Sequence, residues 1–66
     1  MSKQINMYTA TYVGDNQVMF GETCSVLVNE SEPIKLRAKF DNISLGELAF
    51  GWHNFDKTEF NIDYFV

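Results

Sequence analysis

Between Ile34 and Phe40 the chain alternates without a break: Ile34, Leu36, Ala38 and Phe40 are apolar, and Lys35, Arg37 and Lys39 between them are cationic. Successive side chains of an extended strand point to opposite faces. The pattern therefore predicts a strand with one face on a core and a cationic face in solvent. Half a core on one strand needs partners, and the rest of the chain must supply them.

Met7–Val13 supplies one, rich in β-branched and aromatic residues, with Tyr8, Ala10 and Tyr12 on one face and Thr9 and Thr11 on the other. Gly14-Asp15-Asn16 is turn chemistry. Thr23–Val28 alternates again, with Cys24, Val26 and Val28 opposite Thr23, Ser25 and Leu27, and Asn29–Pro33 closes it with a second turn. From Thr58 to Val66, Phe60, Ile62, Tyr64 and Val66 oppose Asn61, Asp63 and Phe65, which predicts a last strand.

Residues 44–53 are open to two readings. Ser44-Leu45-Gly46-Glu47 matches a capping box, and Leu45, Leu48, Ala49 and Trp52 recur at helical spacing. Gly46 and Gly51, each costing up to about 1 kcal/mol in a helix interior, and the strand-forming Phe50 and Trp52 oppose that helix.

At 66 residues the chain is expected to be one domain, 1–66, with 1–6 a loose N-terminal segment. A core this small sits near the limit of independent stability. Ten residues are Phe, Tyr or Trp, each able to bury about 150–250 Å². Cys24 is the only cysteine, so no internal disulfide forms. That, with no signal-like apolar run at Met1–Asn6 and no membrane-span pattern, predicts a cytoplasmic protein. The Asn-x-Ser triplets at Asn29 and Asn42 are then chance matches to the glycosylation pattern.

The order of features resembles the small SH3-like barrel accessory proteins of phages and prophages of Gram-positive bacteria. The residues that carry the likeness are Tyr8-Thr9-Ala10-Thr11-Tyr12-Val13-Gly14-Asp15, the Phe20-Gly21-Glu22-Thr23 turn and Trp52-His53-Asn54-Phe55. Ser44–Gly51 is more helical than such a barrel expects. The fold expectation is mainly β: a four- to five-stranded SH3-like barrel or a strongly bent antiparallel sheet. The alternative is α+β, with a short helix at about 44–53 packed on the sheet. The resemblance implies a phage-encoded accessory protein that binds and blocks a host or defence protein, in the cytoplasm of an infected or lysogenic bacterium.

Enzymatic chemistry finds little to work with. One cysteine and one histidine cannot assemble a zinc site, and no segment supplies a calcium loop. Cys24 shares a face with Val26 and Val28, which makes it a buried thiol before it is a nucleophile beside His53. Asp56, Glu59 and Asp63 read as surface carboxylates before an acid–base pair. The four glycines are scattered singly, so there is no phosphate loop. The expectation is a non-enzyme without catalytic residues, metal or cofactor.

Two surfaces remain. Six of the ten aromatics fall within the sixteen residues from Phe50 to Phe65, among most of the acidic excess. Glu47, Trp52, Phe55, Asp56, Glu59, Asp63 and Phe65 are accordingly the candidate face for a partner with a basic surface, as an anti-CRISPR protein or similar inhibitor would use. The Lys35, Arg37 and Lys39 stripe reads either as protection of a sheet edge or as a nucleic-acid site, with Tyr8 and Tyr12 the rings available for stacking. A net charge of −4 makes nucleic acid the weaker partner. Self-association as a homodimer or structural subunit is the third reading.

Overall fold

The computed structural model describes residues 5–64. Its strands are β1 (Ile5–Tyr12), β2 (Thr23–Asn29), β3 (Lys35–Phe40), β4 (His53–Asp56) and β5 (Phe60–Asp63), all antiparallel in one sheet of order β4-β3-β2-β1-β5. A 3-10 segment, Ile43–Ala49, links β3 to β4, and a single 3-10 turn, Lys57–Glu59, links β4 to β5.

That last turn dictates the shape. β4 and β5 are the two outermost strands of the sheet, yet three residues join them. The sheet must therefore bend until its edges converge. The ring centroids of Phe55 on β4 and Phe60 on β5 stand 5.4 Å apart. Tyr12 from β1 and Phe40 from β3 complete a cluster in which every pair of the four rings lies within 6.4 Å. β4 and β5 form no ladder with each other, so the sheet is strongly bent but not closed into a barrel.

The concave face carries the core: Ala10, Tyr12, Cys24, Val26, Val28, Leu36, Ala38, Phe40 and Phe60, with Met19 inserted from the β1–β2 loop. The alternation of 34–40 is thereby realised from Leu36 onward, whereas Ile34 precedes the strand and is exposed. Tyr12 N–H bonds the Glu22 carbonyl and Gly21 N–H the Tyr12 carbonyl, which closes the β1–β2 loop. Asn16 orders its interior, its Oδ1 accepting from the backbone N–H of Val18 and Met19.

Several boundaries differ from expectation. Ile5 and Asn6 are not a loose segment but the start of β1, opposite Asn29 and Val28. Of the strand read over Thr58–Val66, Thr58 and Glu59 belong to the 3-10 turn, β5 is Phe60–Asp63, and residues 65 and 66 lie outside the described residues. Helix and strand both claimed 44–53, and both are partly right. The helical part is a 3-10 segment that ends at Ala49, and His53 already belongs to β4.

Glu59 ties the converging edges together. Its Oε1 accepts from the Tyr12 hydroxyl at 3.0 Å, its Oε2 from Asp56 N–H at 3.2 Å, and its carbonyl from Val13 N–H at 2.7 Å. Asn29 and Asn42 use their side chains in the same way at turns. Each Oδ1 accepts from the backbone N–H and hydroxyl of the serine two residues on, so the Asn-x-Ser spacing here is that of an Asx turn.

Two predictions follow from this packing. Gly14 has no room for a side chain, since a Cβ there would overlap the Tyr12 hydroxyl and ring. Gly14→Ala is expected to destabilise the fold by about 1–3 kcal/mol, read as a lower urea midpoint, with a smaller effect in a Tyr12→Phe background. Burial pushes the Cys24 thiol from 9.0 up to about 12 and the Tyr12 phenol above its ordinary 10.0. Both are acids that the fold holds neutral, so their contribution is complete below the unfolded values and lost as pH rises through the folded ones. Denaturation midpoints should fall from about pH 9 upward, and in Cys24→Ala the fall should begin nearer pH 10, where Tyr12 sets it.

Candidate functional site

Residues 41–53 form the least ordinary surface of the molecule. Asn42 starts the segment: its Oδ1 accepts from Ser44, and its Nδ2 donates to Glu22 Oε1 at 3.2 Å, which anchors the segment to the β1–β2 loop. Gly46 then takes φ 65°, ψ −126°, a left-handed conformation open to glycine and strained for other residues. It splits the 3-10 segment into two turns and lets both pack on the sheet, with Leu45 and Leu48 half-buried against the core and Ala49 buried.

The Glu47 carbonyl closes the segment by accepting twice, from Phe50 N–H at 3.1 Å and from the His53 ring at 2.8 Å. A carbonyl only accepts, so His53 carries a proton on Nε2. Its role is to hold the segment against the start of β4.

With Leu45, Leu48 and Ala49 turned inward, Ile43, Phe50 and Trp52 turn out, at 71, 69 and 39% exposure. Between Lys39 and Lys57 the chain has Asp41, Glu47 and Asp56 and neither Lys nor Arg. These exposed apolar side chains belong to a stretch of chain whose charged groups are carboxylates.

Of the candidate face read from sequence, the structure keeps Glu47 and Trp52 on this surface. Phe55 is withdrawn because its ring belongs to the core cluster, and Glu59 because its carboxylate is engaged by Tyr12 and Asp56. Asp56 pairs with Lys35, Nζ to Oδ1 at 2.6 Å, on the convex face. Asp63 lies across the sheet on β5, opposite Thr9. Phe65 lies outside the described residues. Ile43 and Phe50 were missed. The available signal was that both fall off the Leu45, Leu48, Ala49 stripe.

The cationic stripe is exposed on the convex face, but β3 lies between β2 and β4. Edge protection is therefore not its role. Nor do the rings offered for stacking accompany it: Tyr12 is 2% exposed inside the core, and Tyr8 packs on the concave side, edge to face with Tyr64.

Cys24 and His53 are each bonded elsewhere, the thiol donating to the Ala10 carbonyl at 3.4 Å. Among the described residues no three His, Cys, Asp or Glu are grouped to hold a metal, and no helix is long and apolar enough to cross a membrane. Comparison with protein families, curated proteins and solved structures finds no match for this chain.

Because Gly46 sets the path of the segment, Gly46→Ala is expected to destabilise the protein by about 1–3 kcal/mol. Its amide shifts should change mainly across 42–53 while the sheet resonances stay in place. Shifts spread evenly over the sheet would show that the segment is not an independent, glycine-set unit.

Proposed function

We propose that this chain is a non-enzymatic protein-binding domain whose contact surface is the 41–52 segment, with Ile43, Phe50 and Trp52 as anchors and Asp41 and Glu47 as an acidic border. The observation that carries it is the exposure of Ile43, Phe50 and Trp52 on a backbone fixed by Asn42, Gly46 and His53. Holding large apolar side chains in water costs free energy that a partner's apolar surface returns. A preset backbone lowers the ordering cost of binding. The acidic border selects a partner with Lys or Arg around an apolar recess and speeds encounter with it.

The sequence resemblance to phage accessory proteins supports the narrower reading, an inhibitor that covers a basic functional surface of a host or defence protein. The test is affinity capture from a bacterial lysate treated with nuclease, comparing the parent with Phe50→Asp and Trp52→Ala. One protein retained near stoichiometry by the parent, and weakened roughly tenfold or more by either substitution, is the expected result. Retention indifferent to both substitutions, or release of everything by nuclease, overturns it. Sedimentation of the purified parent across concentrations separates this from self-association.

A further inference from the structure

A second surface lies on the convex face, away from the concave core. Arg37 stands between Leu27 of β2 and Asn54 of β4 in the ladder, and Lys35 stands opposite Asp56 of β4. Over this part of the sheet runs an open depression of about 340 Å³, bordered by Ile5, Leu27, Asn29, Lys35, Arg37 and Asn54. Its lining is more polar than apolar: Ile5 and Leu27 supply aliphatic surface beside two amides, the Glu32 carboxylate and the Arg37 guanidinium.

In a chain with nine carboxylates, no described carboxylate pairs with Arg37 or Lys39. Three of the acidic groups are engaged elsewhere: Asp56 by Lys35, Glu59 by Tyr12, Glu22 by Asn42. The cations are not edge guards, because β3 is an inner strand. They form a local positive strip on an acidic protein.

We propose that this depression binds an extended acidic peptide segment of a partner protein, with a carboxylate on Arg37 and the peptide's apolar atoms over Leu27 and Ile5. Arg37 offers the planar fork that takes a carboxylate through two parallel hydrogen bonds. Lys39 extends the positive strip along β3 by about 6.6–6.8 Å, the spacing of alternate side chains in an extended peptide. Glu32, at the turn end of the depression, disfavours a peptide carboxylate there and sets the register. A nucleic acid fits less well, since Tyr8 and Tyr12 are turned to the concave side and the net charge is −4.

The test is an amide-shift titration of the labelled full chain with three probes: an octapeptide alternating Glu and Thr, its Lys-for-Glu counterpart, and an oligothymidylate. The acidic peptide should move the amides of Leu27, Arg37 and Asn54 and leave Ile43 and Phe50 unmoved, which keeps this site distinct from the 41–52 surface. Arg37→Glu, an exposed change expected to leave the rest of the spectrum intact, should weaken that peptide roughly tenfold or more and favour the lysine peptide. No shift at these residues at millimolar acidic peptide, equal response to both peptides, or preferential response to the oligothymidylate overturns the proposal.

Discussion

Four aromatic rings from four different strands meet at the centre of this molecule, and most of its other features depend on their meeting. Tyr12, Phe40, Phe55 and Phe60 interact largely edge to face, the geometry that the ring quadrupole favours and that adds about 0.5–1.5 kcal/mol per pair beyond burial. Two of the rings come from the outermost strands. Gathering them bends the sheet, and bending the sheet encloses a core that a flat five-stranded sheet of this size would leave half exposed.

The cluster also brings a polar obligation. Tyr12 is the one member with a hydroxyl, and a buried hydroxyl without a partner is costly. Glu59 accepts it and uses its second oxygen on the backbone of β4. Gly14 has no side chain because the same hydroxyl occupies that space. A carboxylate that looks like surface acidity in the sequence is thus part of the joint between the sheet's two edges.

Once the rings are gathered inside, the remaining surfaces separate by character. The Ile43–Trp52 stretch exposes apolar side chains, while the convex face exposes Lys35, Arg37 and Lys39. Asp56 offsets Lys35 on the convex face, which leaves Arg37 and Lys39 as its local positive charge. Each face then suits a partner of different chemistry.

The strands were legible in the sequence because a strand's period is local: Leu36, Ala38 and Phe40 against Lys35, Arg37 and Lys39 name both faces, and the same holds for Cys24, Val26 and Val28. The turns at Asn29 and Asn42 were partly legible as motifs, although their spacing suggested a modification pattern before an Asx turn. The site was less so. Phe55 and Phe50 are both aromatic, five residues apart in an acidic stretch, and one is core while the other is 69% exposed. Phe50 falls off the Leu45, Leu48, Ala49 stripe, but nothing local places Phe55 in the core. That choice rests on which strand lies beside which, because β4 meets β3 in sheet order and β5 only through the bend. Sequence by itself determined where the chain is extended and which side chains share a face. Tertiary structure decided which aromatics and carboxylates are consumed in closing the fold and which are left for a partner, because burial depends on contacts between residues far apart in the chain.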